Sequence, residues 1–343
     1  MSAGASSPQA PPPQAQLMQM SAGYSAAFML RAAAQARIAD HLAGGPKTAE
    51  QLAAETGTHA PALYRLLRSL AGLGIFSEDE SRRFSLTALG EPLRSDVPGS
   101  VRTSILSLTG DLFIIPWSKL LYSVKTGQPS FDEHFGAPFF EHISTKADEA
   151  AWFSDMLMGF NSADAPAVAA AYDFSPFASV ADIGGATGHI LTTVLASHPG
   201  PDGIVFDLPH CQAGARKLIE SRGMADRVTF VPGSFFESVP CGRDLYMMSH
   251  VIHDWSEEQC LTILENCRHA MPRTSQLLIV EQVLPEGNAF HPGKMLDMTM
   301  LTLTSGQERT ECEYRELLEK AGFKLNRVIP TAAAVSIVEA VPA

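Results

Sequence analysis

Val180-Ala-Asp-Ile-Gly-Gly-Ala-Thr-Gly-His-Ile190 decides the fold of this chain. A short apolar run ends in an acid, a glycine-rich turn follows, and a helical pattern begins at once. The stretch therefore reads as strand, tight loop, helix. Such a loop brings backbone N–H groups and a helix N-terminus up to a ligand, which suits a carboxylate or a phosphate. It is not the dinucleotide fingerprint G-x-G-x-x-G, because Ala186 stands two residues after Gly184. It also lacks the Gly-Lys-Ser/Thr ending of a phosphate-binding P-loop.

Around this loop the pattern alternates. Strands are expected over 178–183, Gly203–Asp207, Arg227–Val231, Asp244–Ser249 and Gln276–Gln282, with a helix after Pro209 to about Gly223 and others over 256–270 and 311–321. Phe323–Ile329 and Ala334–Val341 are close enough to form a hairpin. Alternating units predict an α/β, doubly wound, Rossmann-like sheet of seven strands, the last antiparallel. Its ligands would sit at the carboxyl ends of the strands.

The N-terminal part reads differently. Residues 1–16 are Ser, Ala, Gln and Pro and are expected to be a disordered tail. Leu17 to Leu42 is an alanine-rich apolar helix ended by Gly44-Gly45-Pro46. Thr48-Ala-Glu-Gln51 is a capping box opening a short helix, and Ala60–Ala71 carries Leu63, Leu66, Leu67 and Leu70 on one face. Two short strands, Gly74–Ser77 and Arg83–Leu86, flank the acidic turn Glu78-Asp-Glu-Ser81, which completes a winged helix. We therefore expect an essentially all-α winged-helix domain over 17–100, a helical linker over 101–175, and a ligand-binding domain over 176–343. Arg65, Arg68, Arg82 and Arg83 invite a DNA-binding reading. The acidic wing turn, the apolar leading helix and the net charge of −12 point instead to dimer packing.

Composition narrows the rest. A chain of 343 residues, 45% hydrophobic and 18% charged, holds two domains with real cores. Its acidity argues against nucleic acid as a partner. Five cysteines (Cys211, Cys241, Cys260, Cys267, Cys312) without C-x-x-C spacing suggest neither a disulfide framework nor a zinc site, so a reducing cytoplasm and no metal are expected. No charge precedes Arg31 and no apolar run reaches membrane-spanning length, so neither a secretory signal nor a membrane partner is expected.

Several side chains stand where chemistry is expected. Asp207 ends the strand after the glycine loop, where an acid can hold ribose hydroxyls; the competing reading is a cap for the helix opening at Pro209. Asp182 precedes the loop and can pin its backbone or, through water, an ammonium group. His250-Val-Ile-His253-Asp254-Trp255 follows the strand ending at Ser249. A histidine there suits removal of a proton from a phenol, with Asp254 beside it, while His250 reads as a packed residue. Glu281 closes an apolar strand and Glu308 lies in Ser305-Gly-Gln-Glu-Arg-Thr310, and either can orient the His253 ring. Trp152, Phe153, Met156, Leu157, Met158 and Phe160 make an aromatic and methionine stripe, core in part and in part an adaptable apolar wall for a flat ligand.

Asp182-Ile-Gly-Gly-Ala-Thr-Gly188, Phe206-Asp-Leu-Pro209, His253-Asp-Trp255, Val280-Glu281 and Gly306-Gln-Glu-Arg-Thr310, in that order, resemble the small-molecule O-methyltransferases of the caffeic-acid, acetylserotonin and bacterial natural-product type. The resemblance runs from about Met18 to the end. It implies a class I methyltransferase sheet, S-adenosylmethionine as cofactor with S-adenosylhomocysteine as product, and an N-terminal module that forms a homodimer. It implies His253 as general base for a hydroxyl of a small aromatic metabolite, flanked by Glu281 and Glu308. Asp182, Gly184, Gly185, Asp207 and Leu208 would hold the methionine and ribose parts of the cofactor. Ser234, Phe235, Ser249 and Trp255 would meet its remainder. Phe153, Met156, Phe160, Met295, Thr299 and Leu303 would line the acceptor pocket. Two departures stand out: Ser234 replaces a common aspartate near the adenine, and Ser249 replaces a lysine of plant members. Some relatives of that family run hydroxylation, decarboxylation or cyclisation instead, which is the competing enzymatic reading. A winged-helix transcription regulator is the reading from another class.

Overall fold

The computed structural model describes residues 11–146, 149, 152–153, 156 and 163–343. The chain divides into two compact units, Met1–Ile114 with Asp148–Phe160, and Ile115–Ala147 with Asn161–Ala343. The division falls inside the stretch 101–175.

In the first unit α1 (Pro13–Ser21), α2 (Gly23–Gln35) and α3 (Ile38–Leu42) replace the single expected helix. The helix starts inside the segment expected to be disordered, with proline at its first position, where no N–H is missed. The breaks fall beside Gly23 and at Arg37, whose φ of 52° is left-handed. β1 (Lys47–Thr48) precedes α4 (Ala49–Thr56) and α5 (Ala60–Gly72), and β2 (Phe76–Glu78) and β3 (Arg83–Leu86) form the hairpin. The Thr48–Gln51 capping box is formed as expected. β1 adds to the hairpin in the order β1-β3-β2, so the unit is not all-α. Leu52, Leu63, Leu67, Leu70, Phe76 and Phe84 make its core. α6 (Arg102–Leu108) packs on α2 through the Arg102 guanidinium, which donates to the Ala34 carbonyl at 2.9 Å. α7 (Asp111–Ser118) runs across the division.

The second unit begins with short helices α8 (Leu120–Thr126), α9 (Ser130–Phe135) and α10 (Phe139–Ser144) and resumes at α11 (Asp164–Ala171). Then come β4 (Ser179–Ile183), α12 (His189–Ser197), β5 (Asp202–Asp207), α13 (Gln212–Ser221), β6 (Val228–Pro232) and β7 (Leu245–Ser249). α14 (Glu257–Ala270), β8 (Gln276–Glu281), β9 (Val283–Leu284), α15 (Gly293–Leu303), β10 (Arg309–Thr310), α16 (Glu311–Lys320), β11 (Phe323–Pro330) and β12 (Ser336–Pro342) complete it. The seven-stranded sheet has the order β6-β5-β4-β7-β8-β12-β11. β12 is antiparallel to both its neighbours and the other pairings are parallel. The chain order reverses between β4 and β7, the switch point at which an open α/β sheet binds its ligands.

Alternation along buried strands gives the sheet two cores. Ala181, Ile204, Tyr246, Met248 and Ile279 face α14 and α16, while Val180, Val205, Leu245, Met247 and Leu278 face α12 and α13. α15 has no counterpart in the sequence reading. Its mixed run of Met, Thr and Leu has no clean amphipathic period.

Candidate active site

The glycine loop leaves β4 at the switch point. Gly184 (φ 72°) and Gly188 (φ 76°) hold left-handed backbone, and Ala186 (φ 47°) is strained between them. Space is short as well: a Cβ on Gly184 would stand 2.7 Å from Val251 Cγ2, and one on Gly185 would stand 2.5 Å from Asp182 Oδ2. Asp207, at the end of β5, accepts from Ala186 N at 2.8 Å and from Leu208 N at 2.6 Å. It therefore ties the loop down, the task the sequence left to Asp182. It is not the helix cap of the competing reading, because the short turn at Pro209–Cys211 is capped by Leu208 without a side-chain bond. Leu208 itself is exposed.

Asp182 is buried, and among the described residues its Oδ2 has no hydrogen-bond partner. Burial, then the neighbouring Asp207, pushes its carboxyl up to about 7. Ser249 Oγ, at the end of neighbouring β7, is likewise buried without a partner. Two unpaired polar atoms at the carboxyl ends of adjacent strands are costly unless a ligand meets them. Ser234 Oγ accepts from Phe236 N at 3.3 Å, closing its own turn. The Phe235 ring lies 3.5 Å from where a Gly184 Cβ would be. Trp255 meets Phe235 and Phe236 edge-on and stacks on Phe140 at 5.2 Å.

β7 ends in the turn that delivers His253. Glu281, at the end of β8, is fully buried, and its Oε1 accepts from Val251 N (3.1 Å), Ile252 N (2.7 Å) and His253 N (3.2 Å). Its Oε2 accepts from the Tyr314 hydroxyl on α16. Glu281 thus holds the backbone of the turn and not the ring, which corrects one of the two roles the sequence left open. Glu308 takes the other. Its Oε1 lies 2.6 Å from His253 Nδ1, and its Oε2 is buried without a partner among the described residues. When the ring is neutral, the carboxylate fixes the tautomer, so that Nδ1 carries the proton and Nε2 is the basic nitrogen. Asp254 Oδ1 is 3.6 Å from Nε2.

Burial disfavours the imidazolium, but Asp254, Glu308 and Glu281 outweigh it and lift His253 to about 10. Burial raises Asp254 to about 6, against the pull of His253.

Three supports escaped the sequence reading. Arg309 is fully buried, and its guanidinium donates to the Ile252 and Gln307 carbonyls at 3.3 and 3.2 Å, binding the turn to the Glu308 loop. Asp297 on α15 accepts from Glu308 N at 2.9 Å. Gly306 packs so closely on the turn that a Cβ there would stand 1.9 Å from the His253 carbonyl oxygen. The run Gly306–Thr310 signalled all but Asp297, without revealing that its arginine points inward.

The expected pocket residues are less unified. Met295, Thr299 and Leu303 share α15, from 58% exposed at Met295 to 3% at Leu303. Phe153 and Met156 group with the first unit. Phe160 lies outside the described residues, as do Leu157 and Met158. Among the described residues no cluster of three or more His, Cys, Asp or Glu is placed to hold a metal ion.

A switch-point glycine loop beside a strand-end acid and a buried histidine–carboxylate pair defines a nucleotide-cofactor α/β transferase. Comparison with known proteins narrows the class. Residues 117–324 match the O-methyltransferase domain model and residues 18–96 the O-methyltransferase dimerisation domain model. The chain is 43% identical over 326 residues to phenazine O-methyltransferase PhzM of Lysobacter antibioticus, covering 95% of each chain. The crystal structure of LaPhzM superposes with a TM-score of 0.91 at 42% identity, covering 97% of this chain and all of that one. An O-methyltransferase of neocarzinostatin biosynthesis, solved with S-adenosylmethionine and 2-hydroxy-5-methyl naphthoic acid, gives 0.82 at 32% identity and covers 93% and 96%. Aclacinomycin 10-hydroxylase RdmB of Streptomyces purpurascens is 34% identical over 86% of this chain and 80% of its own. This chain belongs to the O-methyltransferase family and is an S-adenosylmethionine-dependent enzyme.

The polar atoms present fit that cofactor. An unpaired carboxylate oxygen suits its ammonium and sulfonium charge, a strand-end acid suits its ribose, and Phe235 and Trp255 offer apolar faces.

Proposed function

We propose that this enzyme methylates a phenolic hydroxyl of a small planar aromatic metabolite, with His253 as general base. The observation that carries this reading is the His253–Glu308 pair at 2.6 Å, buried at the carboxyl end of the switch-point strand β7. When bound, S-adenosylmethionine supplies an electrophilic methyl group. His253 Nε2 takes the acceptor's proton as its oxygen attacks. Glu308 keeps the ring in the right tautomer and stabilises the charge it gains. The neighbouring carboxylates raise the ring's basicity, so its neutral form takes a phenol's proton more readily. Burial keeps water out and alignment does much of the rest. Asp182 and Ser249 would meet the amino-acid part of the cofactor, Asp207 its ribose, and Phe235 and Trp255 its base.

The aromatic acceptor is supported by the phenazine and naphthoate relatives. The enzyme would act in the cytoplasm as a homodimer through its first unit, where Leu17, Met18, Met20, Tyr24 and Phe28 present an exposed apolar face. DNA binding is disfavoured by its arginines: Arg68 and Arg82 lie over the Tyr64 ring and Arg83 pairs with Asp79. A labelled-methyl screen over phenols, run beside calorimetry with S-adenosylmethionine, tests the reading. Label in an aryl methyl ether is expected. Cofactor binding with no transfer to any acceptor would favour the reaction class of the hydroxylase relative.

A further inference from the structure

His250 was expected to be packing. It stands at a left-handed point of the turn, with a φ of 52°. Such a backbone costs a non-glycine residue free energy and persists where the surroundings require it, often at functional sites. Its ring centroid is 5.3 Å from that of His253. Its Nε2 is 2.9 Å from Oδ2 of Asp164, a buried carboxylate in the first turn of α11. The carboxylate accepts the Nε2 proton and fixes the ring. The other nitrogen, Nδ1, has no protein partner among the described residues, and the side chain is 15% exposed. The turn therefore carries two neighbouring imidazoles, each anchored through one nitrogen by an acid from elsewhere in the chain, with no hydrogen bond to the second nitrogen among the described residues and Asp254 Oδ1 3.6 Å from that of His253.

We infer that His250, held by Asp164, is an acceptor-binding residue that recognises a second oxygen substituent next to the hydroxyl His253 deprotonates. The inference rests on the proposed function for the identity of the reacting hydroxyl. Adjacent ring oxygens, each reached by a hydrogen bond of about 2.8 Å, match two imidazoles at this separation. A neutral His250 accepts from a vicinal hydroxyl, and a protonated one donates to an ortho carboxylate; the shared requirement is the oxygen. A lone phenol leaves Nδ1 without a partner and is discriminated against for that reason.

The test is calorimetric titration of the enzyme saturated with S-adenosylhomocysteine, using 2-naphthol, 2,3-dihydroxynaphthalene and 3-hydroxy-2-naphthoate. Wild type is expected to bind at least one of the two oxygen-bearing acceptors about 10-fold more tightly than the lone naphthol. His250→Gly removes the ring without straining the left-handed backbone, so it should fold. It is expected to bring the three affinities within about threefold of one another, with partial recovery of the preference in added imidazole. Asp164→Asn keeps the ring and is expected to weaken the preference without abolishing it. A tie to α11 that only supports the fold would leave the ratio between acceptors unchanged in His250→Gly. That result, or a wild type without the preference, overturns the inference. Loss of methyl transfer with the affinity pattern intact would contradict the proposed reaction and leave the recognition standing.

Discussion

The turns that follow β4 and β7 leave neighbouring strands of one sheet, yet they are finished in opposite ways. After β7, Glu281 accepts three successive backbone N–H groups and a tyrosine hydroxyl, Arg309 holds the carbonyl of Ile252, and Glu308 grips the His253 ring. After β4, the loop is pinned from outside by Asp207, while Asp182 Oδ2 and the nearby Ser249 Oγ stay buried without partners. The difference separates two tasks. A base must be held in one orientation before the substrate arrives, so protein bonds fix its turn and ring, with Glu308 Oε2 left over. A cofactor cradle must keep donors and acceptors in reserve, so its polar groups are satisfied only in the complex.

The sharpest way to break the finished side is Gly306→Ala. Its new Cβ would collide with the His253 carbonyl, and the obstructing atom is backbone, so the Glu308 loop must move. We expect a stability loss of about 3 kcal/mol by thermal or urea unfolding, and near-complete loss of transfer. Glu308→Gln is milder. The amide keeps the shape but not the charge, so transfer should fall roughly 100-fold. The base works only when neutral, so wild-type kcat/KM is lost as pH falls below the ring's pKa. Removing a carboxylate that raises that value moves the acid limb of the pH profile to lower pH.

Tyr314→Phe leaves Glu281 Oε2 buried without a donor, at a cost of about 1–3 kcal/mol of stability. The three backbone bonds remain, so kcat should change much less than the unfolding midpoint. The smallest effect belongs to the unfinished side. Asp182, raised to about 7, is partly protonated near neutrality, and a cationic ligand beside it favours the carboxylate. Cofactor binding should release a proton and strengthen as pH rises across that region. Calorimetry in buffers of different ionisation enthalpy reads the release directly, and Asp182→Asn should abolish it.

Much of this was legible in the chain itself. The strands have short apolar runs, and the capping box at Thr48 marks a helix start through a contact three residues away, which sequence displays. What escaped depends on distant partners. Glu281 and Glu308 look alike in sequence; only the packing of β8 beside β7 and the return of the Gly306 loop tell backbone holder from ring holder. Asp207, not Asp182, pins the glycine loop because the loop folds toward β5. Asp164 lies 86 residues from His250, so no local pattern could have joined them.

The central claim is that the finished turn moves a proton and the unfinished one holds the cofactor. Single-turnover methyl transfer by His253→Ala, with the cofactor's dissociation constant measured on the same protein, tests it most directly. The account predicts transfer reduced by roughly 100- to 10,000-fold with cofactor affinity nearly unchanged. Transfer at the wild-type rate, or a fall explained wholly by lost cofactor binding, would contradict it.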